Sequence, residues 1–102
     1  MAELTEAGIS CYVFNRNNTV SRVQATKVGE FIVHKGYRGW VVTDPVSGVA
    51  IMSGFARQAD AKAAAKDLPA DVRKAFEDFK ASPKYAEVRA NYEKLVKAAE
   101  GK

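Results

Sequence analysis

Residues 39–66 read GWVVTDPVSGVAIMSGFARQADAKAAAK. The first half is rich in β-branched and aromatic residues and breaks at Pro45-Val46-Ser47-Gly48, with Pro and Gly where a four-residue turn needs them. The second half turns to alanine and charge at helical spacing, through Ala59, Ala61, Ala63, Ala64 and Ala65. The change falls near Ala56. Strands before it and helices after it predict an α+β domain with an antiparallel sheet.

Working outward, Trp40–Asp44 and Val49–Met52 read as the fourth and fifth strands. Upstream, Gly36-Tyr37-Arg38-Gly39 makes a turn, and Glu30–Lys35 is a third strand entered through Gly29. Thr19–Lys27 and Ile9–Asn15 are the second and first, joined by an asparagine-rich turn at 15–18. Connections this short predict a meander, because parallel crossovers need a dozen or more residues. Downstream, Gln58–Leu68 is an alanine-rich helix suited to lie close on a sheet. Pro69 fits the start of a second helix carrying Val72, Phe76 and Phe79. Ser82-Pro83 reads as an N-cap and first position of a third, with Tyr85, Val88, Tyr92, Leu95, Val96 and Ala99 on one stripe and Gly101 as its stop. The last two helices read as an αα-hairpin. The expected layout is a flexible N-terminus at 1–8 and one domain at 9–102, with the sheet at 9–56 and the helices at 57–102.

The composition bounds the function. A chain of 102 residues fits one domain, and 47% hydrophobic with 27% charged residues is ordinary for a globular one. One cysteine allows no internal disulfide and fits a reducing, cytoplasmic setting. Met1–Gly8 contains Glu3 and Glu6 and no basic residue, unlike a signal peptide. No apolar run approaches the ~18 residues that span a bilayer, so a membrane partner is not expected. The net charge is +4. In the sheet region Arg16, Arg22, Lys27, Lys35 and Arg38 face only Glu30 and Asp44, whereas charges of both signs are mixed along the helices.

Catalytic and metal chemistry find little to work with. His34 and Cys11, the only residues of their types, make no common zinc set. The acidic residues Asp60, Asp67, Asp71, Glu77 and Asp78 follow no calcium-loop pattern and read as solvated helix faces with ion pairs such as Glu93–Lys97. Cys11 sits among apolar neighbours, where a free cysteine behaves as a small hydrophobe. A Cys11–His34 dyad needs the first and third strands to be neighbours, and nothing supplies its orienting group or an oxyanion hole. No cofactor, metal or catalytic residue is expected.

Binding has more support. Gly36-Tyr37-Arg38-Gly39 resembles the Gly-x-x-Gly backbone clamp of KH RNA-binding domains, but that clamp joins helices and here both flanks read as strands. The run from Gly54 to Lys66 resembles the last strand-to-helix segment of double-stranded-RNA-binding domains. Where that family has a phosphate-contacting Lys pair, this chain has Arg57 and Gln58. In His34-Lys35-Gly36-Tyr37-Arg38-Gly39-Trp40, aromatics alternate with cations, as on surfaces that stack bases and meet phosphates. Trp, Tyr and Arg also dominate protein interfaces. The candidate partner-binding residues are therefore Trp40, Tyr37, Arg38, Lys35, Arg16, Arg22 and Lys27. Strand one is apolar on both faces, Cys11 and Val13 against Tyr12 and Phe14, so helices cover both faces or one face meets a partner, a second copy included.

Three functions remain at this level. The first is a non-catalytic inhibitor or adaptor docking on a larger protein or nucleoprotein complex, a profile shared with small mobile-element proteins that disable host nucleases. The second is a nucleic-acid-binding domain using the basic hairpin. The third is an enzyme using Cys11 and His34.

Overall fold

The computed structural model describes residues 9–15, 17, 19–36 and 39–101. Five strands, β1 (Ile9–Phe14), β2 (Val20–Val28), β3 (Phe31–Gly36), β4 (Gly39–Thr43) and β5 (Ala50–Phe55), form one antiparallel sheet in sequence order. Three helices follow, α1 (Gln58–Lys66), α2 (Ala70–Ala81) and α3 (Pro83–Glu100). The α+β meander followed by helices is the fold expected from the sequence. None of the helices is long and apolar enough to cross a membrane. The expected flexible segment 1–8 lies outside the described residues.

The main core lies between α1, α2 and one face of the sheet. Val28, Phe31, Val33 and Val42 pack there with Ala61, Ala65, Leu68 and Phe76. Alanines at 61 and 65 let α1 approach the sheet closely, and Ala61 is fully buried. Phe76 of α2 meets Phe31, with ring centroids 5.4 Å apart. Burying each of these large side chains contributes about 1.5–3 kcal/mol.

β2 explains how the opposite face is covered. Its residues Val20–Ala25 pair with β1 and Ala25–Val28 with β3, so only Ala25 pairs on both sides. In a flat sheet, β1 and β4 would lie three strand spacings apart, about 14 Å. Yet the Phe14 amide donates to the carbonyl of Gly48, in the β4–β5 connection, at 2.8 Å. The sheet therefore curls until its first hairpin reaches the turn beyond β4. The face away from α1 becomes concave and holds a second cluster of Val13, Ala25 and Ile32, with Cys11 and Val23 against it. The curled sheet covers the Cys11 and Val13 face of β1, and Tyr92 of α3 packs beside Phe14 on the other, which accounts for both apolar faces.

The β4–β5 connection is the hub of this closure. Gly48 adopts φ +74, and its amide returns to the Asp44 carbonyl at 2.7 Å. Asp44 is buried, and its carboxylate accepts hydrogen bonds from the Val46 amide (3.2 Å), the Ser47 hydroxyl (2.8 Å) and the Tyr85 hydroxyl (2.9 Å). Tyr92 of α3 packs beside Phe14 and donates its hydroxyl proton to the Tyr12 carbonyl. Thus α3 clasps both the turn and β1.

Helix ends differ in detail from the sequence expectation. Ser82 alone joins α2 and α3, and its hydroxyl donates back to the Phe79 carbonyl at 2.6 Å instead of capping α3. Pro83 follows it, so the first turn of α3 has one fewer amide to satisfy. Glu93 pairs with Arg89 at 3.2 Å, one turn earlier than the expected Lys97.

Candidate functional site

Three regions bear on function: the β3–β4 end of the sheet, the concave cleft and the outer edge of β5. At the first, Lys35 pairs directly with Trp40 across β3 and β4, and Trp40 with Phe55 across β4 and β5. Directly paired residues share a sheet face, so the three form a row on the α1 side. Trp40 and Phe55 are half-buried against the main core, whereas Lys35 is exposed. Trp40 thus anchors the end of the sheet while leaving part of its ring accessible. Tyr37 and Arg38, between β3 and β4 in sequence, lie outside the described residues, as does Arg16. The flanks of Gly36 and Gly39 are strands, so a hairpin turn replaces the helix-joining clamp of the KH likeness.

The remaining predicted cations do not converge on this row. Arg22 donates from Nε to the Ser10 hydroxyl at 2.6 Å, on the β1–β2 hairpin. Lys27 pairs with Ile32 and so lies on the opposite face of β2 from Arg22. Both are exposed. The structure therefore places Lys35 beside Trp40 and Lys27 on the other face of the sheet from both.

The cleft of the concave face has a volume of about 580 Å³. The first hairpin contributes Val13 and Val23, β4 contributes Val41, and β5 contributes Ala50 and Ser53. His34 and Thr43 also line it, joined by a 2.8 Å bond between Nε2 and the threonine hydroxyl. His34 Nδ1 lies 3.4 Å from the Lys35 carbonyl. Burial pushes the imidazole below its ordinary pKa, opposed in part by the backbone hydrogen bond to Lys35. The imidazole is therefore neutral at pH 7. A cleft of this size with apolar walls and a few polar groups has the character of a binding site.

The Cys11–His34 pair is not assembled. β2 lies between their strands. Burial also pushes the Cys11 thiol up, towards the protonated and less nucleophilic form. Among the described residues no cluster of three or more His, Cys, Asp or Glu side chains is placed to hold a metal ion. Tyr85 and Tyr92 are each pushed up to about 12, first by burial; the hydrogen bond to Asp44 adds to the shift of Tyr85. Both serve the clasp around the β4–β5 turn.

The outer edge of β5 was not singled out from sequence. No strand pairs with it among the described residues, and its sequence, AIMSGF, contains no charge and no proline. Charged side chains, proline and bulges are the usual means of blunting an open edge, and of these β5 has only the register shifts against β4 and Gly54 at φ +84. β1, the other edge strand, is also uncharged, but its Phe14 amide is already taken by Gly48. The missed signal was legible as a strand without a gatekeeper, but only topology reveals which strand stands last. Comparison with protein-family models, curated proteins and solved structures finds no match to this chain.

Proposed function

We propose that this chain is a non-catalytic binding protein, an inhibitor or adaptor of the mobile-element kind, that docks on a larger protein or nucleoprotein complex. The observation that carries this is the outer edge of β5, unpaired among the described residues and without charge or proline. Such an edge can template another polypeptide, on the stretch left regular by the register shifts against β4 and by Gly54 at φ +84. The Lys35–Trp40–Phe55 row ends on this same strand, supplying the aromatic and cationic side chains typical of interface centres.

The direct nucleic-acid alternative is less well supported, because Arg22 and Lys27 lie on opposite faces of β2. A phosphate-tracking surface needs its cations along one groove. The test is a titration with labelled single- and double-stranded DNA and RNA at about 50 mM and about 200 mM salt. No salt-sensitive submicromolar binding is expected. Submicromolar binding that collapses with salt and is lost in Arg22→Ala/Lys27→Ala/Lys35→Ala would overturn the protein-partner reading.

A further inference from the structure

We infer that the concave cleft is a binding site for a small uncharged molecule, an apolar body that carries a carbonyl oxygen. This goes beyond the protein-partner reading and uses a different face, since the partner is assigned the α1 side and the outer edge of β5. The irregularity of β5 builds the site. Val42 pairs with Met52 and Trp40 with Phe55, so Ser53 and Gly54 together stand opposite the one residue Val41. That is a β-bulge, and Gly54 takes a φ of +84 within it. A second shift inserts Ile51 between Ala50, opposite Thr43, and Met52, opposite Val42. Bulges bend a strand and re-aim its side chains, and they recur beside functional sites. Here Ile51 and Met52 both pack on the main core, while Ala50 and Ser53 border the cleft.

The lining defines the ligand. Phe14 and Gly48 both border the cleft and their backbone bond closes one end, so it is a pocket and not a channel for an extended chain. Its volume of about 580 Å³ lies within the range of small-molecule sites, roughly 300–1,000 Å³. Val13, Val23 and Val41 supply apolar walls. Gly36 lets Val41 lean over it, since a Cβ there would stand 2.7 Å from Cγ2 of Val41. Lys35 borders the cleft only through its backbone, because it pairs with Trp40 and its side chain lies on the α1 face. The rest of the lining holds no Asp, Glu, Lys or Arg, so a charged ligand would lose hydration and gain no counter-charge. The polar groups on offer are hydroxyls. His34 and Thr43 bond each other, the Ser21 oxygen accepts from Asn15 Nδ2 at 2.8 Å, and among the described residues the Ser53 hydroxyl has no protein partner. The hydroxyl protons of Ser21 and Ser53 are therefore open to donate to a ligand oxygen.

The test is an NMR titration of the full chain with three probes built on one ring: cyclohexyl methyl ketone, cyclohexanecarboxylate and cyclohexylmethylammonium. The ketone should bind with a Kd on the order of 1 mM, as suits so small a molecule. It should shift the methyl resonances of Val13, Val23 and Val41, the His34 ring and the Ser53 amide. The two charged probes should bind at least about tenfold more weakly. Val23→Phe fills the cleft and should abolish ketone binding, with its fold checked by the urea midpoint. Ser53→Ala removes one exposed hydroxyl, so it keeps the fold, and should weaken ketone binding about threefold or more. Four outcomes each overturn the inference: no saturable shifts at about ten times that concentration, equal binding of a charged probe, shifts centred on the groove of Tyr92, Val96 and Ala99 beside α3, or unchanged affinity in Ser53→Ala. Undiminished binding to a folded Val23→Phe overturns it too. Each of these results leaves the protein-partner reading standing, because that reading rests on the Lys35–Trp40–Phe55 row and the β5 edge.

Discussion

Replacing Gly48 by alanine tests the turn that closes the sheet. Two costs add at this position. At φ +74 a Cβ crowds its own backbone, worth about 1–2 kcal/mol for an L-residue in the left-handed region. The same Cβ would also stand 2.5 Å from Cδ1 of Tyr92, a buried ring held by Phe14 and the Tyr12 carbonyl. Forcing such a group into packed surroundings costs about 1–3 kcal/mol. The total is about 2–5 kcal/mol, a large share of the ~5–15 kcal/mol that holds a typical domain. Gly29→Ala is the control: its φ is +59, but a Cβ there meets nothing within 4 Å. That variant carries the backbone strain alone, and the gain from a stiffer unfolded chain is common to both. Urea unfolding should therefore place Gly48→Ala below Gly29→Ala by about 1–3 kcal/mol. In a Tyr92→Ala background the extra penalty should disappear. Equal losses for the two glycine variants in the wild-type background would refute this account of the closure.

Asp44→Ala removes the acceptor shared by the Val46 amide, Ser47 and Tyr85, and should cost at least about 2 kcal/mol in the same assay, because hydrogen bonds to a charged group are worth about 1.5–3 kcal/mol each. Restoring the polar shape with Asp44→Asn should recover part of that loss. The pH dependence has two limbs. His34 has a lowered folded-state pKa, so the unfolded chain takes up its proton first on acidification. Its contribution is full above the ordinary value of 6.5 and is lost as pH falls through the folded value. Tyr85 and Tyr92 are raised to about 12, so their contribution is full below 10.0 and is lost between 10.0 and about 12. Denaturant midpoints measured against pH should show both limbs. His34→Gln should flatten the acid one and Tyr85→Phe the alkaline one; unchanged limbs would disprove the assignments.

Much of this fold is local and so could be read along the chain. The switch near Ala56, the turn residues at 45–48 and Pro69, Ser82 and Pro83 mark element boundaries because they restrict φ, remove amides or tolerate turns. The apolar spacing of Phe76 and Tyr92 marks the sides that the helices bury. The candidate site was only partly legible. Lys35 and Trp40 lie together because a hairpin pairs residues close in sequence, whereas Arg22 and Lys27 sit on opposite faces of one strand. Their basic character suggested a common patch that strand alternation does not permit.

What the sequence alone determined is the order of elements, the antiparallel meander and the alanine face that lets α1 lie on the sheet. What only the tertiary structure decided is the curl. The bond from Phe14 to Gly48 joins residues on separate hairpins, and the clasp of Tyr85 and Tyr92 reaches from α3 to Asp44 and Tyr12. No local periodicity encodes such contacts, because their energy exists only once distant segments have met. That curl covers the Cys11 and Val13 face of β1 while α3 covers the other, shapes the cleft and leaves β5 as an open edge among the described residues. The surface proposed for the partner is thus a property of the assembled sheet, even though every residue in it can be named from the chain.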